Sequence, residues 1–161
     1  MAIWQFAFEL VPVAAMVRLH GAVPAVLDQY AAHVPDAHFD PDEEFPNYWH
    51  GFDKACLNQA VEKLLPRCVS WSDEATMYGD LQGSDIQVWG DSVAVRLDCR
   101  DFNAALFEGV LELARQFDCM LALKDGGTII APHRQAVLAA IMQSPAVRFL
   151  SDPAAYLARV D

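Results

Sequence analysis

The densest group of candidate ligands in this sequence is Asp36-x-His38-x-Asp40-x-Asp42-Glu43-Glu44, whose alternating hard donors could hold a divalent cation. It lacks the glycine and the distal glutamate of an EF-hand loop, so a solvated acidic loop is the preferred reading. Arg96, Asp98 and Arg100 fall on one register of an alternating segment. In an enzyme such a row could bind a carboxylate or phosphate. On a sheet the same row forms an ion-pair ladder, with Asp101 left to cap a following helix, and that is preferred. Cys56, Cys68, Cys99 and Cys119 are separated by 12, 31 and 20 residues. They form no Cys-x-x-Cys pair and read as small buried hydrophobes of a reduced protein. His20, His33, His38, His50 and His133 are scattered, no Ser or Cys stands in a nucleophile elbow, and Asp125-Gly126-Gly127 reads as a turn. No catalytic residue, metal ligand or cofactor is expected.

Charge is more informative than chemistry. The 161 residues carry 22 acids against 11 bases, a net −11. Residues 1–95 hold 14 of those acids and only Arg18, Lys54, Lys63 and Arg67, whereas residues 96–161 hold eight acids and seven bases. No Lys or Arg occurs from Leu19 to Asp53, nor from Cys68 to Val95. Such a field steers cationic partners and repels phosphates, so nucleic acid is excluded as a ligand. The first base is Arg18, and Gln5, Glu9 and Pro12 interrupt the apolar N-terminal run. A secretory signal would need leading positive charge, and a membrane span about 18 uncharged apolar residues. A cytoplasmic protein that does not enter the membrane is expected.

The elements that must position any site are legible from period and punctuation. The 54% hydrophobic content suffices for the core of one domain spanning 1–161. Residues 3–10 alternate, with Trp4, Phe6, Phe8 and Leu10 on a core face. The apolar run to residue 17 reads as a buried strand, and Pro24 as the opening of a short helix through His33. Residues 35–52 read as a loop. Asp53 caps a helix whose Leu57, Ala60, Val61 and Leu64 form the stripe that Pro66 ends. Strands follow at 75–79, 85–89 and 92–99, the last two joined by Gly90-Asp91 as a tight hairpin. Asp101 is expected to cap a long helix from Phe102 to Phe117. Strands at 119–124 and 128–131 form a second hairpin. A helix from Pro132 to Gln143 and two more opened by Ser144-Pro145 and Asp152-Pro153 complete the chain. Strand, helix, hairpin, helix, strand is the order of a ferredoxin-like core. The predicted class is therefore α+β, mostly antiparallel, with helices packed on one face and an added C-terminal hairpin and short helices.

All four tryptophans, Trp4, Trp49, Trp71 and Trp89, lie in the acidic part. Trp4 is expected in the core and Trp89 on the outward register of its strand. Tyr48 and Trp49 follow the acids Asp40, Asp42, Glu43 and Glu44, and Trp71 precedes Asp73 and Glu74. Aromatic anchors among carboxylates are what a tight surface for a basic partner needs. The bland alternative is that each ring covers the sheet or pins a loop.

The loop ending Tyr48-Trp49-His50-Gly51, the Trp71-Ser72-Asp73 turn, the Gly90-Asp91 hairpin, the Arg96-Leu97-Asp98 strand and Asp118-Cys119 spread along residues 36–152. In these features the chain resembles, as a class, the small acidic immunity proteins that bacteria encode beside polymorphic or contact-dependent toxins. The resemblance implies a non-enzymatic inhibitor that binds a basic cognate toxin, such as a nuclease, through Asp40, Asp42, Glu43, Glu44, Tyr48, Trp49, Trp71, Asp73 and Glu74. The alternative is a small hydrolase, or a metal- or ligand-binding domain, that uses the Asp36–Glu44 cluster or the Arg96/Asp98 face.

Overall fold

A computed structural model describes residues 2–31 and 46–158. The predicted acids Asp36, Asp40, Asp42, Glu43 and Glu44 lie outside the described residues. In chain order the elements are β1 (Gln5–Pro12), α1 (Val13–His20), α2 (Asp28–Ala31), α3 (Lys54–Glu62), β2 (Thr76–Gly79), β3 (Asp85–Val88), β4 (Val93–Asp98), α4 (Ala104–Gln116), β5 (Cys119–Leu123), β6 (Ile129–Ile130), α5 (Arg134–Gln143), α6 (Pro145–Ser151) and α7 (Pro153–Leu157). The strands form one sheet in the order β2-β3-β4-β1-β5-β6, with every neighbouring pair antiparallel. Within it β5-β1-β4-β3 has the ferredoxin-like order, and β2 and β6 widen it on either side. The α+β class and the antiparallel sheet are as expected. No helix among the described residues is long and apolar enough to cross a membrane.

Alternation in the sequence becomes two faces of the sheet. Phe6, Phe8 and Leu10 of β1, Val93, Val95 and Leu97 of β4, and Ile86 of β3 share one face and are buried. The α3 and α4 helices close over it. Tyr78, the register partner of Ile86, donates its hydroxyl to Asn58 of α3 at 2.7 Å. Gly109 of α4 sits so close to Leu64, just past α3, that a Cβ there would lie 2.5 Å from its Cδ2. The α4 stripe of Leu106, Phe107, Val110, Leu111, Leu113 and Ala114 is buried. Each large apolar side chain of this kind stabilises the fold by about 1.5–3 kcal/mol.

Several boundaries differ from expectation, each for a local reason. The first strand ends at Pro12, which has no N–H to give a ladder, and the chain turns directly into α1. No strand continues to residue 17. Val26 forms a bridge to Thr128 at the sheet edge, so the helix expected from Pro24 begins only at Asp28; its expected end, His33, lies outside the described residues. Asn103, not Asp101, caps α4, its side chain accepting from Leu106 N at 2.9 Å. Phe102 therefore stays outside the helix and 38% exposed. Asp53, Ser144 and Asp152 cap α3, α6 and α7 as expected.

The β2–β3 turn depends on Gly79. Its φ is +89°, and a Cβ would lie 2.4 Å from the Ser84 carbonyl oxygen. Gly79→Ala should destabilise the protein by at least about 1–3 kcal/mol from backbone strain, with the backbone clash added. Gly126, at φ +78° with nothing within 4 Å, supplies the strain-only comparison. Urea unfolding of both variants checks this; equal losses would mean that the Ser84 contact is relieved at no cost.

Candidate partner-binding surface

The second face of the sheet is polar, yet largely buried. Asp85 of β3 is 1% exposed and pairs in register with Arg96 of β4. Arg96 donates from Nη2 to Asp85 Oδ1 at 2.9 Å, and its Nε lies 2.7 Å from Oδ2. Burial pushes the Asp85 carboxyl above the usual carboxylate range, against the downward pull of Arg96 and Gln87. Gln87 continues the same register: its Nε2 donates to Asp85 Oδ1 at 3.0 Å, and its Oε1 accepts from Trp89 Nε1 at 3.2 Å. The Trp89 ring in turn stands 5.2 Å from Trp71, tilted by 58°. A chain of contacts thus leads from a buried ion pair to an indole that is 68% exposed.

Two further sets of bonds hold this corner. The loop 68–75 is pinned at its start by Cys68 N donating to Met77 O at 2.9 Å. Inside it Ser70 Oγ donates to Ser72 O at 2.5 Å and accepts from Ser72 N at 3.2 Å, while Ser72 Oγ accepts from Glu74 N at 3.2 Å. Val69, 90% exposed, and Trp71 are displayed on this loop with Asp73 and Glu74 open to water. Across the hairpin tip, Lys54 donates its ammonium to the carbonyls of Trp89 and Gly90. Gly90 is not among the glycines with positive φ, so this turn is held by the lysine and not by glycine's left-handed freedom. Burial lowers the Lys54 pKa, and Asp91 acts against that shift.

The expected site residues separate into three groups. Trp71, Asp73 and Glu74 are on the surface and together. Tyr48 and Trp49 are not: they are 4% and 3% exposed, and the expectation of two exposed anchors is corrected. The Tyr48 hydroxyl meets His20 Nε2 at 2.9 Å, and Trp49 donates from Nε1 to the Leu10 carbonyl at 3.0 Å while packing edge-on against Phe52. Trp49 thus pins the segment before α3 to β1, and Tyr48 pins it to the last residue of α1. The third group, Asp40, Asp42, Glu43 and Glu44, lies outside the described residues.

The Arg96/Asp98 row is the ion-pair ladder. Arg96 is held by Asp85, and Asp98 accepts from Arg100 Nη2 at 2.7 Å. Arg100 holds the Asp98 carboxyl below the usual range. The Arg100 guanidinium also lies 4.2 Å from the centroid of Trp4, which is half-buried beneath it and not in the core. On this face Lys124 also meets Glu9 at 2.5 Å. Among the described residues no group of three His, Cys, Asp or Glu side chains could hold a metal. A groove of about 760 Å³ at the opposite end of the sheet is lined by Ala7, Lys124, Thr128, Ala139, Gln143 and Tyr156, among others.

Sequence reasoning missed Val69, Lys54 and the Asp85–Gln87 link. The spacing Asp85-x-Gln87-x-Trp89 carried the signal, since alternate residues of a strand share one face. Val69, by contrast, is only an apolar residue between Pro66 and the loop serines. No model of a known protein family matches the chain, and neither the curated proteins nor the solved structures compared with it include a match.

If Gln87 sets the Trp89 ring, Gln87→Met should abolish the far-ultraviolet exciton couplet of the Trp71–Trp89 pair and cost about 1 kcal/mol. Circular dichroism, referenced to Trp71→Phe, and thermal unfolding read both effects; a retained couplet would show that backbone alone orients the ring. A pH effect follows at Asp98. A carboxyl whose folded pKa is depressed contributes stability above its unfolded value, about 3.9, and loses it as pH falls through the lower folded value. The stability gap between the wild type and Asp98→Asn should therefore be full at neutral pH and close below about pH 4. Urea titrations across that range measure it, and a gap independent of pH would refute the assignment.

Proposed function

We propose that this chain is a non-enzymatic, cytoplasmic binding protein of the immunity type, which neutralises a basic toxin by covering it. The observation that carries the reading is Trp71, packed against Trp89, exposed beside Val69 and followed by Asp73 and Glu74 in a stretch without Lys or Arg. Large exposed apolar side chains set on a hydrogen-bonded loop mark interaction sites, and a tryptophan there is the commonest kind of anchor. The surrounding carboxylates favour a cationic partner and speed its approach. Candidate catalytic carboxylates on the polar sheet face are held by Arg96 and Arg100, and that arrangement suits a scaffold better than a reaction centre.

The test is rescue of growth. Co-expression with a toxin encoded beside this chain should protect cells, and a Trp71→Ala/Asp73→Lys/Glu74→Lys variant that folds normally should lose that protection and bind the toxin at least about 100-fold more weakly. Affinity should also fall as salt is raised. Full protection by the triple variant would sink this surface.

A further inference from the structure

We infer that the group the partner lays on this surface is a guanidinium: an arginine side chain stacked over the Trp71 indole and held by the carboxylates of Asp73 and Glu74. The inference rests on the binding surface proposed above and names its chemistry. Charge complementarity restricts the occupant first. The loop and the hairpin beside it carry Asp73, Glu74 and Asp91, and the stretch from Cys68 to Val95 contains no base. Lys54, the cation at the hairpin tip, already donates to the carbonyls of Trp89 and Gly90. Arg67, the nearest base before the loop, sits opposite Tyr78 on the sheet edge.

At the other end of the same sheet the protein builds such a group and fills it itself. Arg100 lies 4.2 Å from the centroid of Trp4 and gives Nη2 to Asp98 at 2.7 Å and to the Gln82 carbonyl at 2.9 Å. Trp4 is fixed beneath it by Nε1 donating to that same carbonyl at 3.2 Å. An oriented indole, a carboxylate beside it and a planar cation on top form one unit. At Trp71 an exposed indole is followed two and three residues on by the exposed carboxylates of Asp73 and Glu74, and among the described residues no ion pair or cation–π contact of the chain's own occupies them. Arginine fits better than lysine. Its guanidinium is planar and weakly hydrated, so it can stack on a ring while its N–H fork still reaches carboxylates.

The probes are three short peptides of equal length that alternate serine with arginine, lysine or citrulline, titrated calorimetrically into the full chain at low salt. The arginine peptide should bind several-fold more tightly than the lysine peptide, and the uncharged citrulline peptide should not bind measurably. Trp71→Ala should weaken the arginine peptide by about 2- to 30-fold, the range of a cation–π contact. Trp71→Leu should erase the arginine preference, and Asp73→Asn/Glu74→Gln should weaken both cationic peptides. Trp4→Leu serves as the control that leaves the preference intact. Equal binding of arginine and citrulline peptides, or arginine binding untouched by Trp71→Ala, would overturn the guanidinium assignment. So would failure of every peptide to bind while the triple variant still loses growth protection, an outcome that leaves the binding surface standing with a different anchor. Loss of neither would count against both.

Discussion

Asp85 and Arg96 make an ion pair that is nearly closed to water, and closing it is costly. Removing two charges from solvent takes several kcal/mol per ion, which their attraction and added hydrogen bonds only offset. Apolar residues of similar volume would hold β3 to β4 about as well. What they would not do is hold Gln87. Oδ1 of Asp85 accepts from both Arg96 and Gln87, so the carboxylate is the shared point of a network on which the side-chain direction of Gln87 depends. Through Gln87 the same network reaches the N–H of Trp89 and, by ring contact, Trp71. Removing either charge would strand the other in a buried site, a loss of about 3–5 kcal/mol. The pair therefore ties the fold to the surface loop.

Much of the fold was readable because period and punctuation agree with the tertiary structure. Phe6, Phe8 and Leu10 alternate, and they do face the core. Asp53, Ser144-Pro145 and Asp152-Pro153 open helices because capping is a local hydrogen bond that needs no distant partner. Failures occurred where a distant partner decides. Val26 is drawn into a bridge with Thr128, and Val13 N donates to the Asp118 carbonyl at 2.9 Å, so α1 begins where the crossover from α4 returns. Asp101 and Asn103 are both acceptable caps by residue type. The structure uses the second, whose side chain accepts from Leu106 N at the start of the buried stripe.

The site was legible in its charge and not in its geometry. Tyr48 and Trp49 look like Trp71 in sequence, each an aromatic beside acids. The difference lies in hydrogen-bond partners that sequence distance hides: the Leu10 carbonyl for Trp49, and His20 for Tyr48. A buried indole or phenol needs such a partner, and both have one. Likewise the second sheet face, though polar, buries Gln5, Glu9, Asp85, Gln87 and Asp98. Gln5 gives its amide to the Gly83 carbonyl at 2.6 Å, and Lys124 reaches Glu9.

An exposed tryptophan has an energetic meaning once its mounting is known. Left on a mobile loop, Trp71 would lose conformational freedom on binding, which typically costs about 0.5–1.5 kcal/mol for each side chain immobilised. Here the serine bonds of the loop, the Trp89 ring and the Gln87 link have already removed much of that freedom during folding. Ser70 and Ser72 bond to one another within the loop, and Val69 and Trp71 stay exposed on it in the free protein. A ring that served only to cover the sheet would have been free to lie flat on it. Trp71 instead stays 68% exposed with a single ring contact among the described residues, to Trp89, and under the proposed reading the acids placed after it favour a cationic partner.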